Sequence, residues 1–183
     1  MGLKSTPERY GTVAITLHWV TAAAILAMFT LGIAADNVQA DAARRTLLVP
    51  HIGLGICVLL LTLFRIGWWA FADRKPQHPP RMPAMQLRIA TLVHALVYGF
   101  IIALAATGIV TNIAGGVIPA IVTGAPIPTL DALGPRRAHG LLAYAFMGLL
   151  AIHIAAALYH QLVRRDRLLA RMGIGALPGR TES

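Results

Sequence analysis

The sequence predicts an all-α, integral-membrane four-helix bundle with both termini in the cytoplasm, and three observations carry that prediction. The 183 residues are 57% hydrophobic and only 13% charged, with a mean hydropathy of +0.67, whereas a soluble domain usually carries about 25% charge. Four stretches each supply the roughly 20 apolar residues needed to cross a bilayer core of about 30 Å. The basic residues, which set a formal net charge of +9, fall between those stretches, unequally on the two sides.

The first span is expected at about residues 10–35 and the second at about 47–72, with Pro50 in its first turn, where a missing N–H costs least. The third is expected at about 87–112 and the fourth at about 137–163. Each is bounded by charge, Pro or Gly. Residues 113–136 are apolar enough to suggest a fifth span. Pro119, Pro126 and Pro128 would each break its backbone ladder where no water can satisfy the freed groups, so a loop packed at the membrane surface is expected. Residues 1–172 then form one transmembrane domain, with a stiff His78-Pro79-Pro80 connection and a disordered tail over 173–183.

Charge sets the orientation. Lys4, Arg9, Arg74, Lys75, Arg81, Arg88, Arg164, Arg165, Arg167, Arg171 and Arg180 would lie on one side, and only Arg44, Arg45, Arg136 and Arg137 on the other. The positive-inside rule makes the first side cytoplasmic. The first apolar stretch exceeds the roughly 7–15 residues of a signal peptide and reads as a retained anchor. A pI near 11.1 would otherwise suggest nucleic acid, but these basic residues are interspersed with long apolar runs. The single cysteine, Cys57, excludes a disulfide framework, a Cys-rich zinc site and covalent haem attachment through Cys-x-x-Cys-His.

Seven histidines are unusual in so apolar a chain, and an ionisable residue within a membrane helix is a functional signal by default. His139 and His153 are fourteen residues apart in span four, about 40° short of four full turns and about 21 Å along the axis. They share one helical face at two depths. A single metal ion cannot bridge that separation, and two stacked cofactors can. His51 opens span two level with His139. His18 in span one is the natural partner of His153, and His94 in span three, at a similar depth, competes with it. A planar cofactor with two axial positions held by imidazoles between the helices of a bundle is haem b. The competing reading is helix–helix hydrogen bonding by isolated histidines. Gly53, Gly55 and Gly140 leave room for a porphyrin or for plain helix packing, and Phe146 is expected to fill the space between two haems.

His18-Trp19, His51-Ile-Gly, Leu-Val-His94-Ala-Leu-Val-Tyr, Arg-Ala-His139-Gly and Leu-Ala-Ile-His153-Ile-Ala-Ala-Ala-Leu-Tyr-His160 resemble the bacterial cytochrome b561 family over about residues 8–172. The resemblance implies a four-helix, inner-membrane dihaem cytochrome. One branch of that family is a superoxide oxidase, which takes electrons from superoxide at the periplasmic face and passes them to ubiquinone. It further implies His18 with His153 on one haem, His51 with His139 on the other, and His94 and His160 beside the quinone.

The residues themselves add roles. Arg44, Arg45, Arg136 and Arg137 form a positive patch that pairs with haem propionates or anchors helix ends, and would also steer an anion such as superoxide. His94 and His160 are placed to donate protons to a quinone, the competing reading of His160 being an ordinary interfacial histidine. Arg65 is expected to snorkel or pair with a propionate, and Trp19, Trp68 and Trp69 to sit in the interface belt. Three functions compete: a stand-alone superoxide:ubiquinone oxidoreductase, a cytochrome b subunit relaying electrons between a periplasmic dehydrogenase or hydrogenase partner and quinone, and a non-redox membrane protein.

Overall fold

A computed structural model describes residues 2–77, 83–166 and 168–175. The expected connection at His78, Pro79 and Pro80, the basic residues Arg81, Arg167 and Arg180, and the tail from residue 176 lie outside the described residues. The fold is all helical: α1 (Thr12–Asn37), α2 (Asp41–Gly67), α3 (Ala84–Ala114), α4 (Val117–Thr123), α5 (Gly134–Tyr159) and α6 (Leu168–Arg171). α2 runs on through a π-helical turn, Trp68–Ala72, and α5 through another, His160–Arg164. With those turns, four helices are long and apolar enough to cross a membrane.

The spans fall where hydropathy puts them, but the second, third and fourth begin earlier, at Asp41, Ala84 and Gly134, while the first begins slightly later, at Thr12. α2 starts at Asp41, so Pro50 lies well inside the helix rather than in its first turn. Asp41 favours the positive helix N-terminus, and water can solvate a polar first turn that hydrocarbon would reject. Pro50 then leaves the Thr46 carbonyl without its usual donor one residue before His51. The 113–136 segment is not wholly loop. α4 forms within it because Pro119 occupies a first turn, where its missing N–H is an orphan anyway, and Gly116 (φ 62°) and Gly124 (φ 78°) delimit it in left-handed geometry. Val117, Ala120, Ile127 and Leu130 are buried, and seven residues are too few to span.

α1 packs against α2 and α3 against α5, with α2 also touching α3. Each long helix gives one buried side chain to the centre: Ile25, Val58, Ile101 and Phe146. Phe146 is 2% exposed, stacked on Phe100 at 5.6 Å and edge-on to Phe29 at 5.8 Å. It lies seven residues from both His139 and His153, so an aromatic plug separates the two histidine depths. In lipid such packing is stabilised by dispersion more than by removal from water. Leu26, Leu60, Phe64, Ile102, Ile152 and Leu162 instead face outward, more exposed apolar surface than a soluble monomer carries. These helices contact lipid.

The first and last described residues, 2–11 and 168–175, lie at one end of the bundle. Arg171 donates to the carbonyls of Glu8 (2.8 Å) and Gln77 (2.5 Å), and the Trp19 indole to that of Met172 (2.9 Å). There too, Asp73 accepts from the Ser5 hydroxyl and amide, the Arg74 amide and the Trp68 indole. Burial pushes its pKa up, but these donors outweigh it and hold the carboxyl below its ordinary 3.8.

Candidate functional site

At the loop end, opposite the termini, the rings of His51 on α2 and His139 on α5 stand 6.2 Å apart at 75°. Nδ1–H of His51 donates to the Met28 carbonyl of α1 at 3.0 Å. Nδ1–H of His139 donates to the Leu104 carbonyl of α3 at 3.0 Å, with the Thr107 hydroxyl at 3.2 Å. A carbonyl can only accept, so each bond fixes the tautomer and leaves the Nε2 lone pair for a ligand. All four long helices therefore build this pair, two supplying imidazoles and two supplying the carbonyls that aim them.

The neighbouring helices make room for the rings. A Cβ at Gly32 would lie 3.0 Å from Cε1 of His51, and one at Gly108 would lie 3.3 Å from Cε1 of His139. Sequence reasoning missed both glycines, although an interior helix glycine, costing about 0.5–1 kcal/mol relative to Ala, is itself a signal. Of the glycines singled out in the sequence, Gly55 and Gly140 line the adjoining cavity, while a Cβ at Gly53 would touch nothing within 4 Å. The cavity is about 460 Å³, within the range of cofactor sites. Asp36, Arg44 and Arg136 also line it.

The four arginines of this end do different things. Arg45 donates to the Ala120, Ile121 and Ala125 carbonyls at 3.0, 3.0 and 2.6 Å, capping α4. Arg137 donates to the Asp131 carbonyl at 2.7 Å. Arg136 pairs with both oxygens of Asp36 at 2.6 and 2.5 Å, tying α5 to α1. Arg44 lines the cavity with its Nε buried and unpartnered among the described residues.

The second tier lies deeper, toward the termini. His153 on α5 has the ring of His94 on α3 at 5.7 Å and 83°, and His94 Nδ1–H donates to the Ala90 carbonyl of its own helix at 2.6 Å. His18 on α1 is within electrostatic range of His153, His94 and Arg65, and its ring stands 5.0 Å from Trp19. The structure thus brings three histidines to this depth and sets His94 as the ring neighbour of His153. Arg65 Nε is buried there without a partner among the described residues. His160, on the π-helical turn, is paired with Asp166, a residue the sequence reading had not singled out. Trp69 lies against Tyr10 at 6.0 Å and under Lys75 at 6.0 Å, in the terminal-end belt.

These residues fit an iron porphyrin. The facing imidazoles at both depths are the kind of nitrogen donors by which a protein would hold a haem iron. The carbonyl-anchored tautomers and the vacated Gly32 and Gly108 positions support the same group at the loop end. A multi-pass helical membrane bundle that presents imidazoles in pairs between its helices defines a membrane electron-transfer cytochrome. The chain belongs to the prokaryotic cytochrome b561 family, whose sequence profile matches residues 9–175. Among curated relatives, it is 25% identical to cytochrome b561 homolog 2 of Escherichia coli (strain K12), over 94% of this chain and 95% of that one. It is 31% identical to cytochrome b562 of Cereibacter sphaeroides, over 89% of this chain and 94% of that one. Membership implies haem b.

Proposed function

We propose that this chain is a dihaem superoxide:ubiquinone oxidoreductase of the bacterial inner membrane, with the loop end periplasmic and the termini cytoplasmic. The observation that carries the reading is the two-tier array, in which His139 and His153 on one face of α5 each meet a second imidazole. When bound, two haems supply one-electron storage and transfer between the membrane faces. His51 and His139 hold the loop-end group. His18 and His153 hold the other by the family resemblance, and the 5.7 Å ring spacing supports His94 as the rival ligand.

The remaining residues bind and supply protons. Superoxide is an anion, and of the four loop-end arginines Arg44 is the one whose guanidinium lines the cavity with an unmatched N–H. It attracts an anion from solution, as any focused positive charge does. Arg136 contributes less, because Asp36 neutralises it. His94 and His160 serve the quinone, whose reduction takes two electrons and two protons.

Stopped-flow mixing with superoxide, with and without ubiquinone, tests this reading. Fast haem reduction by superoxide and reoxidation by the quinone are expected, and Arg44→Ala should slow the first phase more than Arg45→Ala. A second reading, a cytochrome b subunit relaying electrons from a periplasmic dehydrogenase or hydrogenase, draws support from Arg45 and Arg137 being committed to backbone carbonyls, which weakens an anion-steering patch. It requires copurification with an iron–sulfur partner and no fast reaction of the isolated chain with superoxide.

A further inference from the structure

We propose that Asp166 is a positioning residue for proton delivery to the quinone, acting through His160; the inference rests on the quinone-side reading of His160. The chain is poor in acid, with seven Asp and Glu in 183 residues, yet one carboxylate is placed on this imidazole. The local backbone makes the placement. α5 widens into the π-helical turn at His160 and ends at Arg165, the one described non-glycine residue with a left-handed φ, 54°. That reversal folds Asp166 back, so that its amide donates to the His160 carbonyl at 3.3 Å and its Oδ2 meets Nδ1 of the ring.

The pair is shielded, the two side chains being 17% and 25% exposed, so it is worth more than a solvated surface contact. An ionised carboxylate only accepts, so Nδ1 keeps its proton and Nε2 is the nitrogen that exchanges one. The Asp therefore fixes orientation and tautomer, as a carboxylate behind a catalytic imidazole does elsewhere. Each quinone carbonyl takes one electron and one proton as C=O becomes C–OH. The two electrons come from two superoxide ions, which leave as dioxygen. The proton for the carbonyl nearer His160 leaves Nε2 of that ring and is replaced from water, and the other is supplied from the His94 side.

The test uses the purified haem-loaded protein with superoxide and a short-chain ubiquinone, in wild type, Asp166→Asn, Asp166→Glu and His160→Ala. Asp166→Asn should lower kcat roughly a hundredfold with KM for quinone and haem content unchanged, and Asp166→Glu should recover most of the rate. In ¹⁵N-histidine spectra the Nδ1–H signal of His160 should be lost in the Asn variant and kept in the Glu variant. A slow His160→Ala beside an Asp166→Asn of wild-type kcat would overturn the role of Asp166 and leave the quinone-side reading standing. A wild-type rate in His160→Ala would remove that reading itself. Loss of haem in Asp166→Asn, or an unmoved His160 signal, would make the pair a structural cap and overturn the inference.

Discussion

At the loop end, His51 and His139 hang from carbonyls of helices other than their own, Met28 on α1 and Leu104 on α3. At the deeper tier, His94 hangs from Ala90, one turn back on its own helix. A cross-helix bond fixes a ring against the whole bundle, whereas a bond within one helix fixes it only against that helix. The loop-end tier is therefore the more preorganised, with its cavity and its Gly32 and Gly108 clearances already in place. The deeper tier gathers three imidazoles, those of His18, His94 and His153, along with Arg65. The proposed function thus rests on a rigid site near one end of the bundle and a more adaptable one toward the other, where it also places the quinone.

The largest effects should come from the ligands. His139→Ala and His153→Ala should each remove one haem of two, halving the reduced-minus-oxidised b-type absorbance, and a full-height band in either would break the two-tier assignment. The deeper tier is sharpened by comparing His18→Ala with His94→Ala. With His18 as the ligand, only His18→Ala lowers the haem count, while His94→Ala keeps both haems and slows quinone reduction. The reverse pattern would exchange their roles.

Packing comes next. Gly32→Val should crowd the His51 ring and destabilise the loop-end site by about 1–3 kcal/mol, seen as haem lost at lower denaturant. Gly53→Ala, with nothing within 4 Å of its Cβ, should leave it unchanged. Equal loss in both variants would mean that general helix weakening, not ring clearance, is responsible.

The smallest effect is expected at the terminal end, in Asp73. Its folded pKa lies below 3.8, so its contribution is present above the unfolded value and is lost as the pH falls through the folded one. Asp73→Asn should cost about 1 kcal/mol near neutrality, and the gap between variant and wild type should begin to narrow below about pH 4 and close only once the pH has fallen through the lower folded value. A gap that persists in acid would place the effect elsewhere.

Much of this was legible in the sequence. Hydropathy and charge were enough for four spans, and a fourteen-residue interval on a helix of known pitch put His139 and His153 on one face. Helix ends were less legible, because hydropathy marks where hydrocarbon stops and not where hydrogen bonding stops; Asp41 to Arg45 and Gly134 to Arg136 are helical in polar surroundings. α4 was hidden by Pro119, which reads as a breaker unless the helix begins two residues before it. The carbonyls that orient His51 and His139 have no side-chain signature at all. Asp36 and Asp166 did leave a signal, their rarity, but which cation each meets depends on how α1 and the end of α5 pack.

Whether the bundle holds the two b-type haems proposed for its two depths is decided by the haem content of the purified wild-type protein. The arrangement predicts two non-covalently bound haem b groups per chain by pyridine haemochrome assay against protein mass. One haem per chain, or a colourless protein, would contradict it.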